Sequence, residues 1–168
     1  MDTLEIESVL ASDQFTAPSF NGVFACDRLP QKIRFPCSLV ANTDPHGRPG
    51  RHWIAIHYEK NGNAECFDSY GLPPMGRIKE FFESHGRNHK YNQVTLQGPR
   101  SKVCGHYCIA YLTRRCQGES FKDIVDSYTG KRPGDYDCSV RNFVARNYRN
   151  VLLLKSRCRR QTCQARRQ

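Results

Sequence analysis

The period of the apolar residues changes along the chain and marks out its elements in turn. Leu4, Val9 and Leu10 predict a short helix over residues 3–11, with Thr3 as N-cap. Residues 23–27 and 37–42 read as short strands, and a polar turn with Pro45, Gly47, Pro49 and Gly50 follows. The run His52-Trp53-Ile54-Ala55-Ile56-His57-Tyr58 is rich in strand formers. A turn at residues 60–63 joins it to a second strand over residues 65–70, stopped by Gly71-Leu72-Pro73-Pro74, so a hairpin is expected.

Helical spacing takes over at residues 75–84, where Ile78, Phe81 and Phe82 fall on one face and Gly86 supplies the stop. Val94 and Leu96 alternate with Gln93, Thr95 and Gln97, which predicts a strand over residues 91–97. From Cys104 to about Arg115 the pattern is helical again, through Tyr107, Cys108, Tyr111 and Leu112. Ser120 with Asp123 resembles a capping box for a helix reaching Tyr128. Asp137 is read as the cap of a further helix to about Tyr148, and residues 151–154 as a short apolar strand or helix end. The fold class expected is α+β: a central, mainly antiparallel sheet flanked by helices. One domain over residues 1–155 is expected, followed by a basic tail over residues 156–168.

Composition narrows this picture. A chain of 168 residues with 38% hydrophobic content can bury one real core. The aliphatic run Val151–Leu154 is far too short to cross a bilayer. The acidic start Met1-Asp2-Thr3-Leu4-Glu5 lacks a signal pattern, so a soluble protein that is not secreted is expected. Nine cysteines without framework spacing point to reduced thiols. The net charge of +10 is concentrated: after Asp137 there is no acidic residue, while Arg141, Arg146, Arg149, Lys155, Arg157, Arg159, Arg160, Arg166 and Arg167 all follow. Such asymmetry suggests an anionic partner, most simply nucleic acid, although a basic tail also serves solubility.

The chemistry gathers at Cys104. Gly98 and Pro99 end what precedes it, which places the thiol at the first turn of a helix, where free N–H groups and the helix dipole favour a thiolate. Arg100 and Lys102 add positive charge, and Gln97 brings a side-chain amide within range. The same helix N-terminus offers donors to an oxyanion. Taken alone, Cys104 reads first as a small buried residue on an amphipathic helix; only a base and an orienting acid elsewhere in the chain overturn that reading. His52 and Asp68 on the hairpin fill those roles if the register allows. A two-residue Asn61-Gly62 turn puts them on opposite faces. A three-residue Lys60-Asn61-Gly62 loop, with Gly62 left-handed, puts Asp68 opposite Ile54 and diagonal to His52, roughly 7–8 Å away at the backbone. The odd-length loop, or a compensating bulge, is therefore expected. His57 lies deeper along the strand, His106 points to another helix face, and Cys108 belongs to the helix core.

The order His52-Trp53, Asp68, Gln97-Gly98-Pro99, Cys104-Gly105 resembles the adenovirus-type cysteine endopeptidase (adenain) family and, more distantly, the ubiquitin-like-protein protease clan. The segments Asn21-Gly22-Val23-Phe24-Ala25-Cys26-Asp27 and Ala41-Asn42-Thr43 extend the likeness, which covers roughly residues 10–115. The resemblance implies a papain-like site in His-Asp-Gln-Cys chain order. Cys104 would be the nucleophile, His52 the base and then acid, and Asp68 the orienting carboxylate. Gln97 and the Cys104 N–H would bind the oxyanion, and Trp53 and Gly105 would wall a groove for small residues. It further implies cleavage of viral or virus-like structural precursors near glycine during particle maturation, in the host nucleus and virion, or in nucleus and cytoplasm for a transposon-encoded form.

No metal or cofactor is expected for the chemistry. Family members are activated by DNA and by a short basic peptide joined through a disulfide. No cysteine lies between Cys66 and Cys104 to receive such a peptide, so the tail around Cys158 is expected to stand in its place. Arg157, Arg159, Arg160, Arg166 and Arg167 would contact DNA or the activator. An aspartate also stands where the adenovirus enzymes carry glutamate. Two other classes compete: a deubiquitinase or deSUMOylase with the same site, and a nucleic-acid-binding module with structural cysteines. The spacings Cys104-x3-Cys108 and Cys158-x4-Cys163 fit zinc poorly.

Overall fold

The structure is a computed structural model that describes the backbone of residues 1–165 and the side chains of residues 1–153. Arg157, Arg159, Arg160, Arg166 and Arg167, and Cys158 with them, therefore lie outside the described side chains. The elements are α1 (Thr3–Ser12), β1 (Phe20–Ala25), β2 (Cys37–Asn42), β3 (Trp53–Tyr58), β4 (Asn63–Phe67), α2 (Gly76–Ser84), β5 (Arg87–Tyr91), α3 (Cys104–Cys116), α4 (Phe121–Asp126) and α5 (Asp137–Ala165).

The five strands lie in sequence order across one sheet. β2, β3 and β4 form the antiparallel centre, as expected, but both edges differ: β1 pairs parallel to β2, and β5 pairs parallel to β4. All six residues of β3 are buried because both faces of the sheet are covered. Ile54, Ile56 and Tyr58 face a cluster with Ile78, Phe81 and Phe82 of α2. Trp53 and Ala55 face a larger cluster with Tyr107, Cys108, Tyr111 and Leu112 of α3, which α1, α4 and α5 complete.

Several local expectations are corrected. The cap of α1 is Asp2, not Thr3: its carboxylate accepts from Glu5 N, and Glu5 returns the bond to Asp2 N. β1 begins earlier than expected and β4 ends at Phe67 rather than running to residue 70, because Gly71 N–H bonds back to Asp68 O at 2.8 Å and closes a turn. The strand expected over residues 91–97 lies upstream, as β5, on the polar and exposed residues Arg87–Lys90. Residues 92–97 instead fasten to the β4 exit, with the N–H groups of Leu96 and Gln97 both donating to Ser69 O. Residues 151–154 are part of α5, which breaks its helical geometry at Tyr148 and then continues to Ala165, through most of the stretch expected as a separate basic tail.

The register of the hairpin is the expected one. Ala55 stands opposite Phe67, Ile56 opposite Cys66 and His57 opposite Glu65. Glu59 N–H donates to Asn63 O across a Lys60-Asn61-Gly62 loop, and Gly62 adopts φ 87°, a conformation that glycine reaches without steric cost. This loop decides which face His52 and Asp68 share.

Candidate active site

Four of the sequence-predicted residues meet at one end of the sheet. His52 precedes β3 and Asp68 follows β4, so both sit where the ladder stops and side chains are free to turn toward each other. His52 Nε2 lies 2.7 Å from Asp68 Oδ1. Asp68 is itself held on both backbone sides by one side chain: its N–H donates to Asn92 Oδ1 at 2.8 Å, and its carbonyl accepts from Asn92 Nδ2 at 2.7 Å. Asn92 was not legible in the sequence as a site residue.

Cys104 opens α3, and the residue at its N-cap position, Val103, supplies no side-chain cap. The first-turn N–H groups are thus not consumed by a polar side chain, and the positive end of the helix dipole meets the thiol. The cysteine is buried but lines a cavity of about 400 Å³ together with Trp53, Tyr70, Gln97, Lys102 and Gly105. Gly105 also lets α1 approach, since a Cβ there would lie 3.0 Å from Ile6 Cδ1.

The His52 Nδ1 atom is buried and carries no hydrogen bond among the described residues. Cys104 is nonetheless near enough for each group to perturb the other, so the pair is apposed rather than joined by a formed bond. Burial alone would lower the His52 pKa; the Asp68 carboxylate and the Cys104 thiolate outweigh it and raise it to about 9. Burial would raise the Cys104 pKa, yet His52 and the backbone N–H groups of Trp53 and Gly105 hold it below the ordinary thiol value of 9.0. Arg100 and Lys102 are not among its main causes. The two shifts together describe a thiolate–imidazolium pair.

The other candidates fall away on position. His57 is buried against Ser38 Oγ at 2.8 Å, with its pKa lowered to about 4 by burial and by Arg115. Burial pushes the Cys66 and Cys108 thiols up, and it raises the Cys37 thiol to about 11. Cys108 is helix core, as expected. Among the described residues, no group of three His, Cys, Asp or Glu is placed to hold a metal ion, and no helix is long and apolar enough to cross a membrane.

Gln97 stands at the cavity, as the resemblance implied, but it is 1% exposed and its amide is fully engaged. Nε2 donates to Ser101 O at 2.8 Å and to Tyr70 Oη at 3.1 Å, and Oε1 accepts from Ser69 Oγ at 2.8 Å. Tyr70 also donates its backbone N–H to Asp68 Oδ1 at 2.7 Å and lays its ring 4.8 Å from the His52 ring. Tyr70 and Ser69, like Asn92, are site residues that the sequence pattern did not single out. The signal existed: Asp68-Ser69-Tyr70-Gly71 carries Asp at the first and Gly at the last position of a turn, which aims the third residue back at the acid.

This arrangement belongs to an α+β, papain-like fold with a thiol–imidazole–carboxylate site. Comparisons with known proteins agree with the fold. The crystal structure of the African swine fever virus pS273R protease superposes with a TM-score of 0.56 at 20% identity, covering 82% of this chain and 64% of that one. The central domain of the uncharacterized Lpg1148 protein from Legionella pneumophila gives a TM-score of 0.50 at 13% identity, covering 90% and 97%.

In sequence, the chain is 31% identical over 101 residues to the putative thiol protease R355 of Acanthamoeba polyphaga mimivirus, covering 54% of this chain and 33% of that protein. It is 29% identical over 110 residues to the cysteine protease S273R of African swine fever virus, covering 56% of this chain and 40% of that protein. In other isolates of the same virus that protein is named SUMO-1 cysteine protease S273R. The chain thus spans between a third and two fifths of the length of these relatives. No family model matches it. These relatives are viral proteins named thiol or cysteine proteases, and they do not specifically support the adenovirus type that the resemblance implied.

Proposed function

We propose that this chain is a cysteine endopeptidase that cuts viral or virus-like precursor polypeptides at sites with glycine near the scissile bond. The observation that carries the reading is the placement of His52 between Asp68 and Cys104, at a helix N-terminus no side chain caps. The similarity to viral proteins named thiol and cysteine proteases supports it.

In this reading the Cys104 thiolate attacks the peptide carbonyl carbon, and the oxyanion forms beside the Cys104 N–H. His52 gives its Nδ1 proton to the departing amine, leaving a thioester on Cys104. Water then attacks the thioester as His52 takes its proton back. Asp68 keeps the Nε2–H fixed and the imidazolium stabilised throughout. Trp53 and Tyr70 both line the cleft at the thiol, which favours glycine on the substrate.

The test is labelling with a thiol-reactive peptide probe ending in glycine, read by mass spectrometry. Modification concentrated at Cys104 and abolished in His52→Ala is the expected result; equal labelling of exposed cysteines such as Cys138, indifferent to His52, would sink the proposal. A ubiquitin-like C-terminal Gly-Gly probe run in parallel addresses the rival reading, removal of ubiquitin-like tags, which the name of the swine fever virus relative favours.

The charge distribution supports a nucleic-acid partner for the same chain. Arg141, Arg146 and Arg149 are exposed on α5 while Val140, Val144 and Tyr148 are buried, and the remaining basic residues of the C-terminal stretch follow. Salt-sensitive DNA affinity that falls on deleting residues 155–168 is expected; unchanged affinity and unchanged peptidase rate would rule out that role for the tail, including its part as a built-in activator.

A further inference from the structure

Both N–H groups of the Gln97 side chain are already spent. The Ser101 carbonyl can only accept, so the atom 2.8 Å from it must be Nε2, and this fixes the orientation of the amide. The same nitrogen then donates to Tyr70 Oη, which leaves the phenol as acceptor in that bond. The Tyr70 O–H has no acceptor among the described residues. Tyr70 is half-buried and lines the Cys104 cavity, whereas Gln97 is 1% exposed. A carbonyl oxygen entering the cleft therefore has the phenol to meet, with the amide already committed to other acceptors.

The placement of Tyr70 is firmly built. Its N–H is tied to Asp68 Oδ1, its carbonyl accepts from Thr95 Oγ1 at 2.9 Å, and its ring rests on His52. Burial and the neighbouring Cys104 charge raise its pKa above 10.0, which keeps the hydroxyl protonated at neutral pH.

We propose that the Tyr70 hydroxyl, backed by Gln97, is the side-chain donor to the oxyanion, acting with the Cys104 backbone N–H; this rests on the peptidase reading above. When the thiolate pair forms the C–S bond, the carbonyl π pair moves onto oxygen. That oxygen accepts a hydrogen bond from Tyr70 O–H, which keeps its proton. The Gln97 N–H, donating to Tyr70 Oη, makes the phenol a stronger donor. On collapse the C=O bond re-forms, the C–N bond breaks, and the leaving amine carries away the His52 proton. Gln97 is then a positioning residue, and Tyr70 touches the reacting atoms.

Tyr70→Phe keeps the ring against His52 and the N–H on Asp68 while removing the donor. Two reactions separate the roles, because alkylation of Cys104 by iodoacetamide passes through no oxyanion and peptide hydrolysis does. The expected result is a fall in kcat of about 10²–10³-fold with KM little changed, and an alkylation rate and pH profile like those of the wild type. The affinity for a glycinal peptide aldehyde, which forms a tetrahedral adduct without turnover, should fall in parallel with kcat. The Gln97→Ala loss should not add to the Tyr70→Phe loss, since both act through one chain of bonds.

Hydrolysis and aldehyde affinity within about threefold of wild type in Tyr70→Phe would overturn the proposal. Alkylation that falls together with hydrolysis would also overturn it, by showing that Tyr70 acts on His52. A wild-type chain whose Cys104 alkylates no faster than its other thiols would overturn both this inference and the peptidase reading, and only that outcome touches both.

Discussion

His52 Nε2 and Asp68 Oδ1 lie 2.7 Å apart, although neither residue belongs to the strand it flanks. The same Asp68 oxygen accepts the Tyr70 N–H at 2.7 Å, so one atom orients the base and pins the residue that leans on it. Asp68→Ala removes both bonds, and kcat is expected to drop by about 10²-fold or more. Asp68→Asn keeps a carbonyl oxygen for both donors and loses only the charge. Its activity should exceed that of the alanine variant, and the alkaline pKa of its imidazole should fall. Single-turnover rates for the two variants, with the pH profile of the second, check this; equal losses in both would show that geometry contributes nothing beyond charge.

The thiolate–imidazolium pair sets the pH dependence. Cys104 loses its proton below the ordinary thiol value, and His52 keeps its proton up to about 9. The reactive state exists between these two limits, whose values belong to the coupled pair. Raising the pH through the lower limit forms the thiolate and raises the rate; raising it through about 9 removes the imidazolium proton that the leaving amine requires, and peptidase activity declines. A bell-shaped kcat/KM profile with an alkaline limb near 9 is expected. A rate that climbs without a plateau through pH 9, as for a free thiol, would exclude the pair.

Much of this site was legible because its determinants are local. Gly62 at the end of a three-residue loop fixed the hairpin register, and register alone decided that His52 and Asp68 share a face. Gly98-Pro99 before a helical period placed Cys104 at a helix start. What escaped depended on contacts distant in sequence. Asn92 clamps Asp68 across 24 positions, and that clamp holds residues 92–97 off the sheet despite their strand-like alternation. β5 sits on exposed polar residues whose pairing with β4 leaves no apolar alternation to read. The role of Tyr70 depends on an amide 27 positions away.

Behind the site, Glu65 is fully buried on β4 and accepts from Arg115 Nε at 2.7 Å and Tyr111 Oη at 2.8 Å, with Lys90 Nζ at 3.0 Å. Burial would raise its pKa; Arg115, Tyr111 and Lys90 bring it below 4.5 instead. A depressed folded-state pKa means that this stabilisation is present above the unfolded value and is lost as pH falls through the folded one. Glu65→Ala leaves the largely buried Arg115 guanidinium with Glu59 as its remaining carboxylate and should cost about 2 kcal/mol, read from the denaturant midpoint, with the Cys104 alkylation rate retained. Below about pH 4.5 the gap between wild type and Glu65→Gln should narrow. A constant gap would assign the acid sensitivity to other carboxylates.

Gly71 closes the turn that carries Asp68, Ser69 and Tyr70, with φ 69° and its N–H on Asp68 O. A Cβ at this position would lie 2.7–2.8 Å from the backbone C, N and O of Val94, atoms that cannot swing aside as a side chain does. Relief requires residues 92–97 to move away from the turn, and that segment holds Asn92 and Gln97. Gly71→Ala should therefore cost about 2 kcal/mol of stability and lower kcat at the same time, because the acid and the oxyanion donors shift together. Gly118→Ala is the control: φ is 99°, but nothing lies within 4 Å of its Cβ and the residue follows the far end of α3. It should show only the conformational cost of a left-handed alanine, about 1 kcal/mol, with kcat intact. Equal stability losses in the two variants, both with wild-type kcat, would mean that the turn at Gly71 does not position the site.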